Sequence, residues 1–132
     1  MTPVAEHEVA AHDVAAHDAY AVHSFEDFWP HYVRLHTRPE THALHALASL
    51  SCLALLGAAV ITRQPVLAVM APLVDFAIAQ ASHRVFEQNV TTPWKNQIWH
   101  TRAEIRMLRL LLTGRMRAEV AHNTPRKVAA PG

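Results

Sequence analysis

Eleven of the 132 residues are histidine, and two groups of them sit where side chains can act together. His36, His42 and His45 lead directly into an apolar run, and His83 follows a second such run, with Glu87 four residues further on. Imidazole and carboxylate groups without thiolate are ligands for iron, zinc or manganese. Two or three histidines with one carboxylate and open positions are typical of non-haem Fe(II) oxygen chemistry. Cysteine takes no part. The single Cys52 excludes an internal disulfide and a cysteine-based zinc site, and within the apolar run it reads as a small buried hydrophobe.

For these groups to meet, the chain between them must fold back on itself. Residues 43–62 carry no charge, and twenty helical residues at about 1.5 Å each cross roughly 30 Å of hydrocarbon. "TRQP" then reads as a turn with Pro65 at a first helical position, and a second apolar run, residues 66–81, follows with Asp75 as its only charge. The pair reads as a helical hairpin, membrane-spanning or deeply inserted, with a soluble two-helix core as the alternative. Antiparallel helices bring residues 36–45 and 83–87 to the same end. There His83 and Glu87 share a helix face, and His36 stands before the helix because Pro39 interrupts it. Asp75, eight residues before His83, falls near that face. Inside a membrane segment it is either functional or bonded to a neighbouring helix.

The flanks are amphipathic. Ser24 with Asp27 forms a loose capping box, and Phe25, Phe28, Trp29, Tyr32 and Val33 recur at spacings of three and four. Such an aromatic stripe packs on a core or lies in a membrane interface, and the neighbouring hairpin favours the interface. Residues 97–116 read as one further helix. On it Arg102, Arg106 and Arg109 oppose Ile98, Trp99, Ile105, Leu108, Leu111 and Leu112, which suits a helix at a lipid surface. The excess of Arg and Lys outside the hairpin turn places both termini in the cytoplasm, with Arg63 in the turn opposing.

The expected fold is therefore all-α, a membrane helical hairpin flanked by amphipathic interfacial helices. Residues 24–116 are the membrane-embedded helical domain. Residues 1–23 are a mobile His- and Ala-rich tail whose imidazoles spiral around any helix they form, and residues 117–132 are a flexible C-terminal tail. A basic leader with an early apolar core is not seen, so no secretory signal is expected. The formal charge of +1 says little by itself, nucleic acid is not expected as a partner, and the oligomeric state stays open.

"FWPHYVRLHTRPETHALH", "SHRVFEQN" and "WHTRAEIRMLRLLLTGRM" resemble the 2-hydroxy fatty acid dioxygenase family, small membrane proteins long described as a domain of unknown function. His36, Pro39 and His45 match its first motif. His83, Glu87 and Asn89 match its second, and Trp99, Glu104, Arg106 and Met107 its third. Thr41 stands where the family usually has asparagine, His42 where arginine is common, Ser82 where glycine precedes the histidine, and Glu104 where aspartate is usual. The proline expected two residues after Asn89 comes two residues later, at Pro93.

The resemblance implies an Fe(II)-dependent α-oxidation that inserts O2 into a 2-hydroxy fatty acid and releases the acid one carbon shorter. Under it His36, His45 and His83 are the expected iron ligands, with Glu87 a fourth ligand or an orienting group. Asn89 and Glu104 hold the site by hydrogen bonds, and Arg38 or Arg84 pairs with the substrate carboxylate. His42 lies outside the pattern. Expected partners are a lipid or 2-hydroxy fatty acid, O2 and the membrane. Two other functions stay open from the residues themselves. One is a non-enzymatic membrane protein whose basic helix binds anionic lipid or a partner, and the other a zinc-dependent interfacial hydrolase.

Overall fold

Local signals in the sequence account for most of the element boundaries in the computed structural model, which describes residues 22–125. Helix α1, Phe25–Leu35, starts where expected: the Ser24 hydroxyl oxygen accepts from the Asp27 N–H at 3.1 Å. Helices α2, Pro39–Thr62, and α3, Pro65–Ser82, each open on a proline whose missing N–H costs nothing there. Between them Arg63 adopts the left-handed conformation at φ 57° and reverses the chain. A π-helical turn, His83–Glu87, extends α3, and Gln88, again left-handed at φ 54°, ends it. After a short 3-10 turn at Pro93–Lys95 comes α4, Gln97–Leu112, capped by the Asn96 side chain on the Trp99 N–H, and then α5, Met116–Asn123.

The described residues form helices joined by short loops, without strands, in two layers. One is the α2/α3 hairpin. Both of its helices are long and apolar enough to cross a membrane, and only 17% and 11% of their most apolar stretches are buried inside the protein. Leu50, Leu53, Val60, Ile61 and Val69 point outward. A soluble core helix would bury that face, so the hairpin suits lipid.

The second layer, α1 with α4 and α5, has a core of its own. Phe25, Phe28, Trp29, Tyr32 and Val33 pack with Ala103, Met107 and Met116. Phe28 and Met107 are almost wholly enclosed, each worth about 1.5–3 kcal/mol relative to exposure. The aromatic stripe of α1 is therefore not presented to a membrane interface; α4 and α5 cover it. Two arginines of the basic face also turn toward it. The Arg102 guanidinium lies 4.1 Å from the Phe25 ring centre and that of Arg106 4.4 Å from Trp29, with Arg106 paired to Glu26 at 3.2 Å.

Two boundaries differ from expectation. The helix expected over residues 97–116 stops at Leu112, because Gly114 takes φ 69° and the Gly114 and Arg115 N–H groups return to the Leu111 and Leu110 carbonyls. Nor does the chain become a tail at residue 117. Helix α5 buries Met116, and Glu119 accepts a hydrogen bond from the Trp29 indole N–H at 2.5 Å. The expected N-terminal tail, residues 1–23, falls almost wholly outside the described residues, as does the end of the C-terminal one.

Candidate metal centre

The two layers meet at the open end of the hairpin, where the end of α1, the start of α2, the end of α3 and one face of α4 come together. Three histidines occupy this junction: His36 just after α1, His45 in the second turn of α2 and His83 at the end of α3. All three are buried, and one ring nitrogen from each lies within 4.8 Å of the others.

What each ring does with its other nitrogen decides what the cluster can hold. His36 Nδ1 is 2.6 Å from the Tyr32 carbonyl, which can only accept. His83 Nδ1 is 2.8 Å from Asn89 Oδ1, and the Asn89 amide NH2 donates to the Leu35 carbonyl at 3.1 Å, which fixes the amide orientation. His45 Nδ1 is 3.3 Å from the Glu104 carboxylate, which also accepts from Ser49 at 3.0 Å. Each Nδ1 thus faces an acceptor, which leaves Nε2 as the nitrogen each ring can offer to a metal. His45 Nε2 and His83 Nε2 are 3.3 Å apart, so in neutral rings lone pair faces lone pair. A cation shared by the three nitrogens removes that conflict, and the donor set fits a metal ion held by imidazoles with oriented backs.

Burial keeps His36 neutral. It pushes the imidazole well below its ordinary range, and the neighbouring His83 and His45 push the same way against the Tyr32 hydrogen bond. The ring of Tyr32 stacks on that of His36 with centres 3.9 Å apart, and burial raises the phenol well above its usual value. His100 is also neutral at pH 7, lowered to about 4 by burial against a partial offset from Glu104. It packs edge-on to Phe28 at 5.2 Å.

The turn after α3 explains how Asn89 reaches His83. With Gln88 left-handed, the Gln88 and Asn89 N–H groups both return to the His83 carbonyl, which folds the Asn89 side chain back on the ring. Glu87 faces the other way, toward the α1–α2 loop. Its carboxylate accepts from the Thr37 N–H and the Arg38 N–H at 2.7 Å and from the Thr37 hydroxyl at 2.8 Å. Glu87 therefore holds the α1–α2 loop and is not among the converging groups, so of its two expected places, fourth ligand or orienting group, these contacts fit the second. His42 is buried with Nε2 donating to the His36 carbonyl at 2.8 Å, supporting the loop from the other side.

A cavity of about 440 Å³ opens from the histidines along α3. Asp75, half-buried on α3, lines it, as do Glu104 and His100 from α4, and Pro72, Phe76 and Ala79 form an apolar wall. Arg38 and Arg84 are exposed and do not line it, so their expected meeting with a bound carboxylate finds no support here. Sequence reasoning missed Tyr32 and His100 as parts of this site. Helical spacing held the signal, since Tyr32 lies four before His36 and His100 four before Glu104.

Residues 22–116 match the family model described as 2-hydroxy-palmitic acid dioxygenase Mpo1-like. That span includes all three motifs and every side chain of the junction. No curated protein and no solved structure matches the chain.

Proposed function

The chain belongs to the 2-hydroxy-palmitic acid dioxygenase Mpo1-like family, and from that premise we propose that it is a membrane-inserted Fe(II)-dependent dioxygenase that shortens 2-hydroxy fatty acids by one carbon. The observation that carries the reading is the convergence of His36, His45 and His83, one ring nitrogen of each within 4.8 Å of the others, with every Nδ1 facing an acceptor. In this reading those three nitrogens hold the iron, and iron supplies the activation of O2.

The protein's own groups do the rest. The Tyr32 carbonyl, Glu104 and Asn89 keep the rings aimed and their Nδ1 protons in place. Burial of the histidines keeps bulk water from the reacting end. The apolar wall formed by Pro72, Phe76 and Ala79 takes the acyl chain where it leaves the head group. The hairpin lies in the bilayer with both termini cytoplasmic, so a lipid's polar end meets the histidines while its tail follows α3. Glu87 and His42 position the loop that carries His36, and Arg38 and Arg84 take no part.

Three neutral imidazoles with an open position would also suit a zinc-dependent hydrolase, and the two readings part on oxygen. Protein loaded anaerobically with Fe(II) and given 2-hydroxypalmitate should, on admission of O2, produce the acid one carbon shorter by mass spectrometry, with matching O2 consumption. Unchanged 2-hydroxypalmitate in iron-loaded, folded protein would overturn the dioxygenase reading.

A further inference from the structure

The outer face of α4 is left over by the candidate metal centre. His100, Ala103, Glu104 and Met107 point inward, and the opposite stripe reads Ile98, Arg102, Ile105, Arg109, Leu112, at alternating steps of four and three. Ile98 is 79% exposed, Ile105 54% and Leu112 88%, and both arginines are exposed among them. Among the described residues nothing covers this stripe. Beside it a groove of about 730 Å³ runs to the start of α1, and Arg102, Arg106, Arg109 and Arg115 all line it. The acidic side chain there, Glu26, is already paired with Arg106.

Neither medium alone suits such a face. Water penalises three large aliphatic side chains in a row, and hydrocarbon penalises the charges between them. The boundary between the two accepts both, aliphatic side chains entering the acyl region while guanidinium groups stay with phosphate. Four arginines against one carboxylate leave the groove net positive, which selects anionic phosphate over zwitterionic headgroups, and Arg102, stacked on Phe25, is held in place before any lipid arrives.

We infer that the outer face of α4 and its arginine groove form a docking site for anionic phospholipid, which seats the metal-binding layer against the membrane surface beside the hairpin. This rests on the membrane placement of the hairpin and not on the reaction proposed above, so iron content and turnover do not bear on it.

The test uses the full chain in a neutral detergent, with dioleoyl phosphatidylglycerol, dioleoyl phosphatidylcholine or inorganic phosphate added and bound lipid counted by native mass spectrometry. Phosphatidylglycerol should be retained at least tenfold more strongly than phosphatidylcholine, and inorganic phosphate should neither bind nor compete at matched concentration. Arg102→Gln with Arg109→Gln should weaken phosphatidylglycerol retention about 25-fold, from roughly fivefold per arginine at an anionic surface. Ile105→Ser with Leu112→Ser, which keeps every charge, should weaken it too. All four positions are exposed, so unchanged thermal unfolding would show that the variants fold. Equal retention of the two lipids, an unaltered preference in the arginine variant, or a lipid-free dimer that either double variant dissociates would each overturn the inference.

Discussion

Asn89 separates the two things that the junction must do, hold its fold and aim a histidine. Its Oδ1 accepts from His83 Nδ1 at 2.8 Å, and its Nδ2 donates to the Leu35 carbonyl at 3.1 Å, with the residue buried between the ends of α3 and α1. Asn89→Ala strands a buried donor and a buried acceptor, each costing about 1–3 kcal/mol, so unfolding free energy should fall by about 2–6 kcal/mol. It also frees the His83 ring, and losing such a tether weakens metal binding about 10- to 100-fold. Asn89→Asp restores the acceptor on His83 but has no donor for Leu35. It should keep metal affinity near that of the native chain or better while still losing about 1–3 kcal/mol of stability. Thermal unfolding in detergent and Fe(II) or Co(II) titration under anaerobic conditions read the two quantities separately. Equal loss of metal affinity in the alanine and aspartate variants would refute the assignment of Asn89 as the tether of His83.

Three further outcomes follow from other contacts. Glu87→Ala removes the acceptor of two backbone N–H groups and the Thr37 hydroxyl. It should cost about 2–4 kcal/mol after allowance for partial exposure while leaving metal stoichiometry unchanged in the folded fraction. Loss of metal from folded protein would restore Glu87 as a ligand. Met116→Ala should cost about 2–4 kcal/mol in thermal or denaturant unfolding, because Met116 is buried in the second core; an unchanged unfolding midpoint would contradict that packing. Stability should also fall with acid. His36 and His100 are neutral in the fold, the latter lowered to about 4, whereas an unfolded imidazole takes its proton near 6.5. Protonation therefore favours the unfolded chain. Unfolding temperature should hold above about pH 6.5 and decline toward pH 4, with metal occupancy declining in the same direction, and His100→Phe should flatten part of that slope.

The hairpin was legible because its signals are local: Pro39 and Pro65 open helices, the uncharged runs have bilayer length, and antiparallel pairing forces the first histidine group toward His83. Its outward-facing leucines and valines agree with that reading. What was not legible came from packing and from backbone irregularity. The stripe from Phe25 to Val33 has the same periodicity whether it meets lipid or protein, and only the tertiary fold shows Met107 and Met116 covering it. Helix spacing relates Glu87 to His83 but does not show that the Thr37 and Arg38 N–H groups and the Thr37 hydroxyl claim its carboxylate. Gly114 was a readable stop signal that the longer helix ignored. Tyr32 and His100 needed the junction itself, since neither belongs to a metal-ligand spacing and both matter through what they touch.

Iron stoichiometry across a set of single variants tests the three-histidine centre most directly. Full-length protein loaded anaerobically with Fe(II), desalted and assayed by elemental analysis should hold one iron per chain. That iron should be lost in folded His36→Ala, His45→Ala and His83→Ala and kept in His42→Ala and Glu87→Ala. Native protein that binds no iron, or iron that survives removal of any one of the three inward-facing imidazoles, would contradict the account.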